Sequence, residues 1–139
     1  MFVSNLTTIT SFENSVLVFL CRFDSVSKSA NYCFVSSKDY STHGCMLLCE
    51  VALGESHELL QADHGAAALP AGKHSTRGVG RSQPQAGGAV TLADGLTVPC
   101  GAIETKDVPG AALQYNEFVV YDTSQIKLKY LVKVKFIHH

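Results

Sequence analysis

The stretch "IKLKYLVKVKF" at residues 126–136 constrains this chain more than any other. Ile126, Leu128, Tyr130, Val132, Val134 and Phe136 alternate with Lys127, Lys129, Leu131, Lys133 and Lys135. Successive side chains of a strand point to opposite faces, so strict period two predicts a half-buried β-strand with one face in a core and one in water. A lysine-bearing face also discourages pairing with other chains.

A second strand is expected just upstream. In "LQYNEFVVYD" (113–122), Phe118, Val119, Val120 and Tyr121 are strand formers, and Asp122-Thr123-Ser124-Gln125 supplies a turn. Tyr115–Tyr121 and Ile126–Phe136 therefore read as an antiparallel hairpin. Met46–Leu53, an apolar run broken only by Glu50 and stopped by Gly54, reads as a strand covered on both faces. "SVSKSANYC" (25–33) reads as a short helix with Ser25 or Ser27 as N-cap. Residues 65–112 hold all four prolines and most of the glycines, and read as a long loop with short extended pieces at 91–92 and 96–98. The expected fold is α+β: a mostly antiparallel β core, one short helix and a long Gly/Pro-rich loop.

Two carboxylates interrupt these apolar strands, and each needs a partner or a purpose if buried. Strand parity puts Glu117 on one face with Tyr115, Val119 and Tyr121, a face able to line a cleft. Glu50 is a second lone carboxylate of the same kind, and the pattern alone does not choose between them.

Other chemistry has weaker support. With 139 residues and a formal net charge of −1, the chain is one domain without a basic field for nucleic acid. Five cysteines with no C-x-x-C pair favour reduced thiols over a disulfide framework. The run Val16–Cys21 is short and follows no Lys or Arg, so neither a signal peptide nor a membrane span is expected, despite a sequon at Asn5-Leu6-Thr7. Cys45 and Cys49 would lie about 13 Å apart along a strand, too far for one zinc ion, so no metal site is expected. "TRGVGR" (76–81) lacks the spacing of a phosphate-binding glycine loop, and Lys73, His74, Arg77 and Arg81 read as solvated surface.

Five stretches, in order, resemble the catalytic domain of poly(ADP-ribose) polymerases: "SKSANYC" (27–33), "LLCEVALG" (47–54), "LPAGKHSTRGVGR" (69–81), "YNEFVVYD" (115–122) and "IKLKYLVKVKF". The resemblance covers the second half of that domain, residues 23–139, with 1–22 unlike the family. It implies ADP-ribosyl transfer from NAD⁺ to protein acceptors. Glu117 stands at the catalytic glutamate, which hydrogen-bonds the nicotinamide-ribose hydroxyl and polarises the acceptor. Ser29 matches the serine that bonds the nicotinamide amide, Tyr32 the tyrosine that stacks on its ring, and Lys28 a lysine beside the glutamate. NAD⁺ enters as substrate and no metal is implied. The implied partners are NAD⁺ and protein acceptors, without nucleic acid contact by this segment and without a membrane. A nuclear location and a role in DNA repair are implied by resemblance alone.

The chain departs from the family pattern in its first part. Neither His43 nor any other histidine stands in the context of the family's His-Gly motif, and Cys21 occupies the position of the triad tyrosine. Transfer activity impaired by truncation is therefore the expectation. The alternative is an inactive fragment acting at most as a weak nicotinamide-binding or interaction module. A small disulfide-bonded secreted protein ranks last.

Overall fold

The computed structural model describes residues 15–19, 29 and 43–135. Strands dominate: β1 (Ser15–Phe19), β2 (His43–Ala52), β3 (Ser56–Leu59), β4 (Ser75–Gly78), β5 (Gly80–Pro84), β6 (Ala89–Thr91), β7 (Thr97–Pro99), β8 (Ile103–Thr105), β9 (Leu113–Tyr115), β10 (Glu117–Val119) and β11 (Ile126–Lys135). Short 3₁₀ turns occupy Ala86–Gly88 and Thr123–Gln125. Ser29 has helical backbone, and the rest of the expected helix, with Lys28 and Tyr32, lies outside the described residues.

The strands form a five-stranded sheet in the order β11–β2–β1–β7–β6 and two three-stranded sheets, β10–β4–β3 and β8–β5–β9. Most pairings are antiparallel; β1/β7, β3/β4 and β5/β9 are parallel. The mostly β expectation is met. The N-terminal apolar run also takes part, because β1 lies between β2 and β7.

β2 behaves as its continuous apolar text requires. Met46 and Cys49 alternate between the faces of the strand, yet they are only 5% and 1% exposed. Gly54 ends the run with φ +55°, a left-handed conformation that costs a side-chain-bearing residue energy. The core gathers Cys49, Val51 and Leu53, against which Leu47, Phe118, Val120, Ile126 and Leu128 pack. Burying side chains of this size contributes about 1.5–3 kcal/mol each.

Three expectations need correction. First, β10 and β11 make no hairpin: β10 pairs with β4, and β11 pairs with β2. The turn at Thr123–Gln125 forms, capped by Asp122, whose Oδ1 accepts the Ser124 N–H at 2.8 Å. It carries the chain between sheets instead of back along itself. This hydrogen bond also holds the Asp122 carboxyl below the usual carboxylate range.

Second, the alternation of β11 breaks. Its register against β2 shifts between Leu128 and Tyr130, leaving Lys129 as an extra residue. Cross-strand partners share a face, so Leu131 and Lys133, opposite Leu47 and Cys45, fall on the side of Ile126 and Leu128. Tyr130 and Val132 fall on the other side, and Tyr130 and Leu131 are left 64% and 68% exposed. Period two in the text thus does not mean one continuous core face.

Third, residues 65–112 are not one loop. They contain β4 to β8, and "STRGVGRSQP" is two strands that meet at Val79. Ser75 and Thr76 are 0% and 5% exposed, deeper than most of the apolar residues. Glycine is required in this strand text for room: a Cβ on Gly80 would lie 2.2 Å from the carbonyl carbon of Tyr115. The two segments touch backbone to backbone there.

Candidate active site

Glu117 is the first residue of β10, and the alternation of that strand decides its surroundings. Phe118 turns to the core, so Glu117 and Val119 turn the other way. They enter an open cavity of about 390 Å³ whose wall also includes Thr76, Gly78, Leu113 and Tyr121. Glu117 is half-buried, and among the described residues it joins no ion pair. A carboxylate so placed is available to something that enters the cavity.

The wall is fixed by polar contacts. The Tyr121 hydroxyl lies 2.9 Å from Thr76 Oγ1, tying the far end of the β10 segment to β4. Facing it, the segment from Leu59 to Ala67 brings Asp63 and His64 to the cavity. This segment is held by the Ala112 N–H donating to the Leu60 carbonyl at 2.9 Å, by the Gln61 side-chain amide donating to the Gly110 carbonyl, and by the Gly65 N–H donating to Asp63 Oδ1 at 2.7 Å. None of Thr76, Asp63 or His64 was signalled by sequence. Thr76 stood in text read as loop, and the 59–67 segment has neither period nor motif.

Tyr115 does not join the expected face. The strand breaks at Asn116, and Tyr115 belongs to β9 in the other three-stranded sheet. Only Tyr121 of the two tyrosines shares the cavity with Glu117. Ser29 is buried at 1% exposure. Lys28 and Tyr32 lie outside the described residues.

Glu50, the competing carboxylate, has a partner. Its Oε2 accepts from Lys129 Nζ at 2.9 Å, and the two side chains retain 15% and 25% exposure. The hydrogen bond from Lys129 holds the ammonium form and raises the lysine's pKa. The bulge supplies that lysine. Glu50 is therefore answered structurally, and Glu117 is the carboxylate left facing a cavity.

The four basic residues expected on the surface divide. Arg81 and His74 are exposed. Arg77 lies on β4 on the opposite face from Thr76, pairs with Glu58 at 2.8 Å, and sits 5.9 Å from the centre of the Phe118 ring. Among the described residues no group of three or more His, Cys, Asp or Glu side chains is placed to hold a metal ion. No described helix is long and apolar enough to cross a membrane.

Comparison with known proteins adds an independent finding. Residues 22–136 match the model of the poly(ADP-ribose) polymerase catalytic domain. The chain is 47% identical over 113 residues to poly [ADP-ribose] polymerase 2 of Arabidopsis thaliana, covering 81% of this chain and 17% of that protein. It is 49% identical over 113 residues to poly [ADP-ribose] polymerase 1 of Danio rerio, covering 81% and 11%. Against poly [ADP-ribose] polymerase 2 of Homo sapiens it is 46% identical over 116 residues, covering 81% and 19%. The chain thus spans less than a fifth of the length of these curated relatives. Strand β1 lies outside the matched residues.

Proposed function

The chain belongs to the poly(ADP-ribose) polymerase catalytic-domain family, and from that premise we propose that it carries the glutamate-bearing part of a site that transfers ADP-ribose from NAD⁺ to protein acceptors. Glu117 is the catalytic residue of this reading. The observation that carries it is the two-sidedness of β10: Phe118 is committed to the core, while Glu117 faces the cavity.

The chemistry suits a carboxylate there. The bond between the anomeric carbon of the ribose and the nicotinamide nitrogen breaks, and its electron pair leaves with nicotinamide. Positive charge develops on the sugar, as in glycoside hydrolysis. The Glu117 carboxylate accepts a hydrogen bond from a ribose hydroxyl, orienting the ring and stabilising that charge. The acceptor then bonds to the anomeric carbon, and any proton it carries passes to Glu117 or to water. Ser29 hydrogen-bonds the nicotinamide amide and Tyr32 stacks on its ring, an aromatic surface suited to a planar leaving group. Lys28 flanks Glu117. NAD⁺ is substrate throughout, and a nuclear location belongs to the same proposal.

A second reading keeps the ancestry and drops the activity. It is favoured by Cys21 standing where the family has its triad tyrosine. The chain would then bind nicotinamide weakly or act as an interaction module. Incubation with labelled NAD⁺ separates the two. Transfer of label that falls at least a hundredfold in Glu117→Gln supports the first. No transfer, with nicotinamide binding retained in calorimetry, supports the second. Equal labelling by Glu117→Gln removes Glu117 from the mechanism.

A further inference from the structure

The strand carrying Glu117 is interrupted one residue before it, and the interruption has a defined structure. β4 and β5 meet at Val79, and β9 and β10 meet at Asn116. On one side of this crossing Glu117 pairs antiparallel with Gly78; on the other, Gly80 pairs in parallel with Leu113 and Ser82 with Tyr115. No single ladder can satisfy both halves, so one buried N–H at the junction needs another acceptor. The Gly80 N–H donates to Asn116 Oδ1 at 2.9 Å. Asn116 is 2% exposed, and a Cβ on Gly80 would lie 2.6 Å from its backbone nitrogen. The side chain therefore closes a clasp in which the two segments are in van der Waals contact.

We infer that Asn116 is a positioning residue for Glu117: its bond to Gly80 fixes the backbone bend from which Glu117 projects into the cavity. The role follows from adjacency. Glu117 begins β10 immediately after the clasp, and the direction of its Cα–Cβ bond is set by the peptide that the clasp holds. A carboxylate that must meet a ribose hydroxyl tolerates little displacement, since about 1 Å of misplacement costs on the order of a hundredfold in rate. The Gly78 pairing and the contacts that keep Phe118 in the core hold Glu117 from β4 and from its C-terminal side, and the change of ladder at Asn116 leaves the preceding peptide without a place in either ladder. The clasp ties that peptide to Gly80.

The inference rests on Glu117 being the catalytic carboxylate, and its test separates the two claims. Asn116→Leu keeps the approximate size and removes the acceptor; Asn116→Asp restores an oxygen at the same reach. Turnover of labelled NAD⁺ by the full chain is expected to fall about a hundredfold in kcat for Asn116→Leu with KM changed less than about threefold, and to recover at least tenfold in Asn116→Asp. In parallel, the chain labelled with ¹³C-glutamate and uniformly with ¹⁵N reads geometry without turnover. Asn116→Leu is expected to shift the Glu117 carboxyl resonance and to speed exchange of the Gly80 amide, while the amides of β2 and β11 keep their protection. An unmoved Glu117 resonance in a folded Asn116→Leu chain overturns the inference, as does loss of protection throughout the molecule in both variants, which marks a merely structural residue. If Glu117→Gln turns over like the parent chain, the catalytic reading fails while the resonance shift still judges the clasp.

Discussion

Glu50 and Glu117 occupy equivalent places in the sequence, each a single carboxylate in an apolar strand, and the structure treats them oppositely. Glu50 lies in β2, whose neighbours β1 and β11 pair with it over most of its length. There the bulge in β11 brings Lys129 to 2.9 Å, and the charge is neutralised within the sheet. Glu117 lies where two small sheets cross. Among the described residues it joins no ion pair, one of its faces is a cavity, and the residue before it is tied to Gly80 through its side chain. A regular sheet supplies partners because its ladder brings long side chains alongside one another. A crossing supplies exposure and a fixed direction because its ladder is broken. The comparison teaches that a carboxylate proposed as functional stands out by what the surrounding strands fail to give it.

The comparison can be broken most directly at Glu117. In Glu117→Gln the ADP-ribosyl transfer proposed above is expected to fall by about 10²–10³, while the midpoint of denaturant unfolding stays within error, because the side chain is half-exposed and joins no ion pair among the described residues. A large stability loss with retained activity would reverse the assignments of the two carboxylates.

Next in size is the crossing itself. Gly80→Ala places a methyl group against the Tyr115 carbonyl carbon at a separation that no relaxed contact allows. Overpacking of this kind costs about 1–3 kcal/mol or more, and urea unfolding is expected to show it. A cost near zero would mean that the crossing is soft.

Cys49 sharpens the contrast from the side of the regular sheet. Its burial pushes the thiol up to about 11, whereas Cys45 and Cys100 are exposed. A maleimide is expected to label Cys45 and Cys100 rapidly and Cys49 only on unfolding. The pH dependence follows in sign. The folded value exceeds the ordinary value of 9.0, so this contribution to stability is intact below about pH 9 and is lost as pH rises toward 11. Unfolding midpoints measured from pH 8 to 11 in the parent and in Cys49→Ser test this, since the variant should lack that part of the decline.

The smallest effect is expected at the ion pair. Glu50→Gln should cost under about 1 kcal/mol, the range for partly exposed pairs. It should leave any transfer activity unchanged, and raising the salt concentration should narrow the difference from the parent.

Much of the site's orientation was legible before the fold was. Parity had separated Glu117 and Val119, on a face able to line a cleft, from Phe118, and the structure keeps that separation, with Phe118 against the core and Glu117 on a cavity. The continuous text of β2 likewise announced burial on both faces. What was not legible follows one pattern. Tyr115 was read onto the face of Glu117 because parity was counted through Asn116, where the strand in fact ends. Tyr130 was read onto the core face because parity was counted through Lys129, where the register slips. Thr76 was passed over because glycine and proline nearby signal loop, although here Gly80 provides the clearance for a crossing.

By itself, then, the sequence determined which short segments extend, which face of each is apolar, where the turn at Asp122–Gln125 falls, and which family's motifs the chain carries. These depend on neighbours two to four residues apart, the range over which side-chain alternation and turn chemistry act. The tertiary structure alone decided that β10 joins β4 and β11 joins β2, that the 65–112 segment holds five short strands, that Glu50 finds Lys129, and that Asn116 completes Gly80. Each of these joins residues distant in the chain, and such pairings are selected by the burial and hydrogen-bond satisfaction of the assembled sheets, which no local pattern encodes.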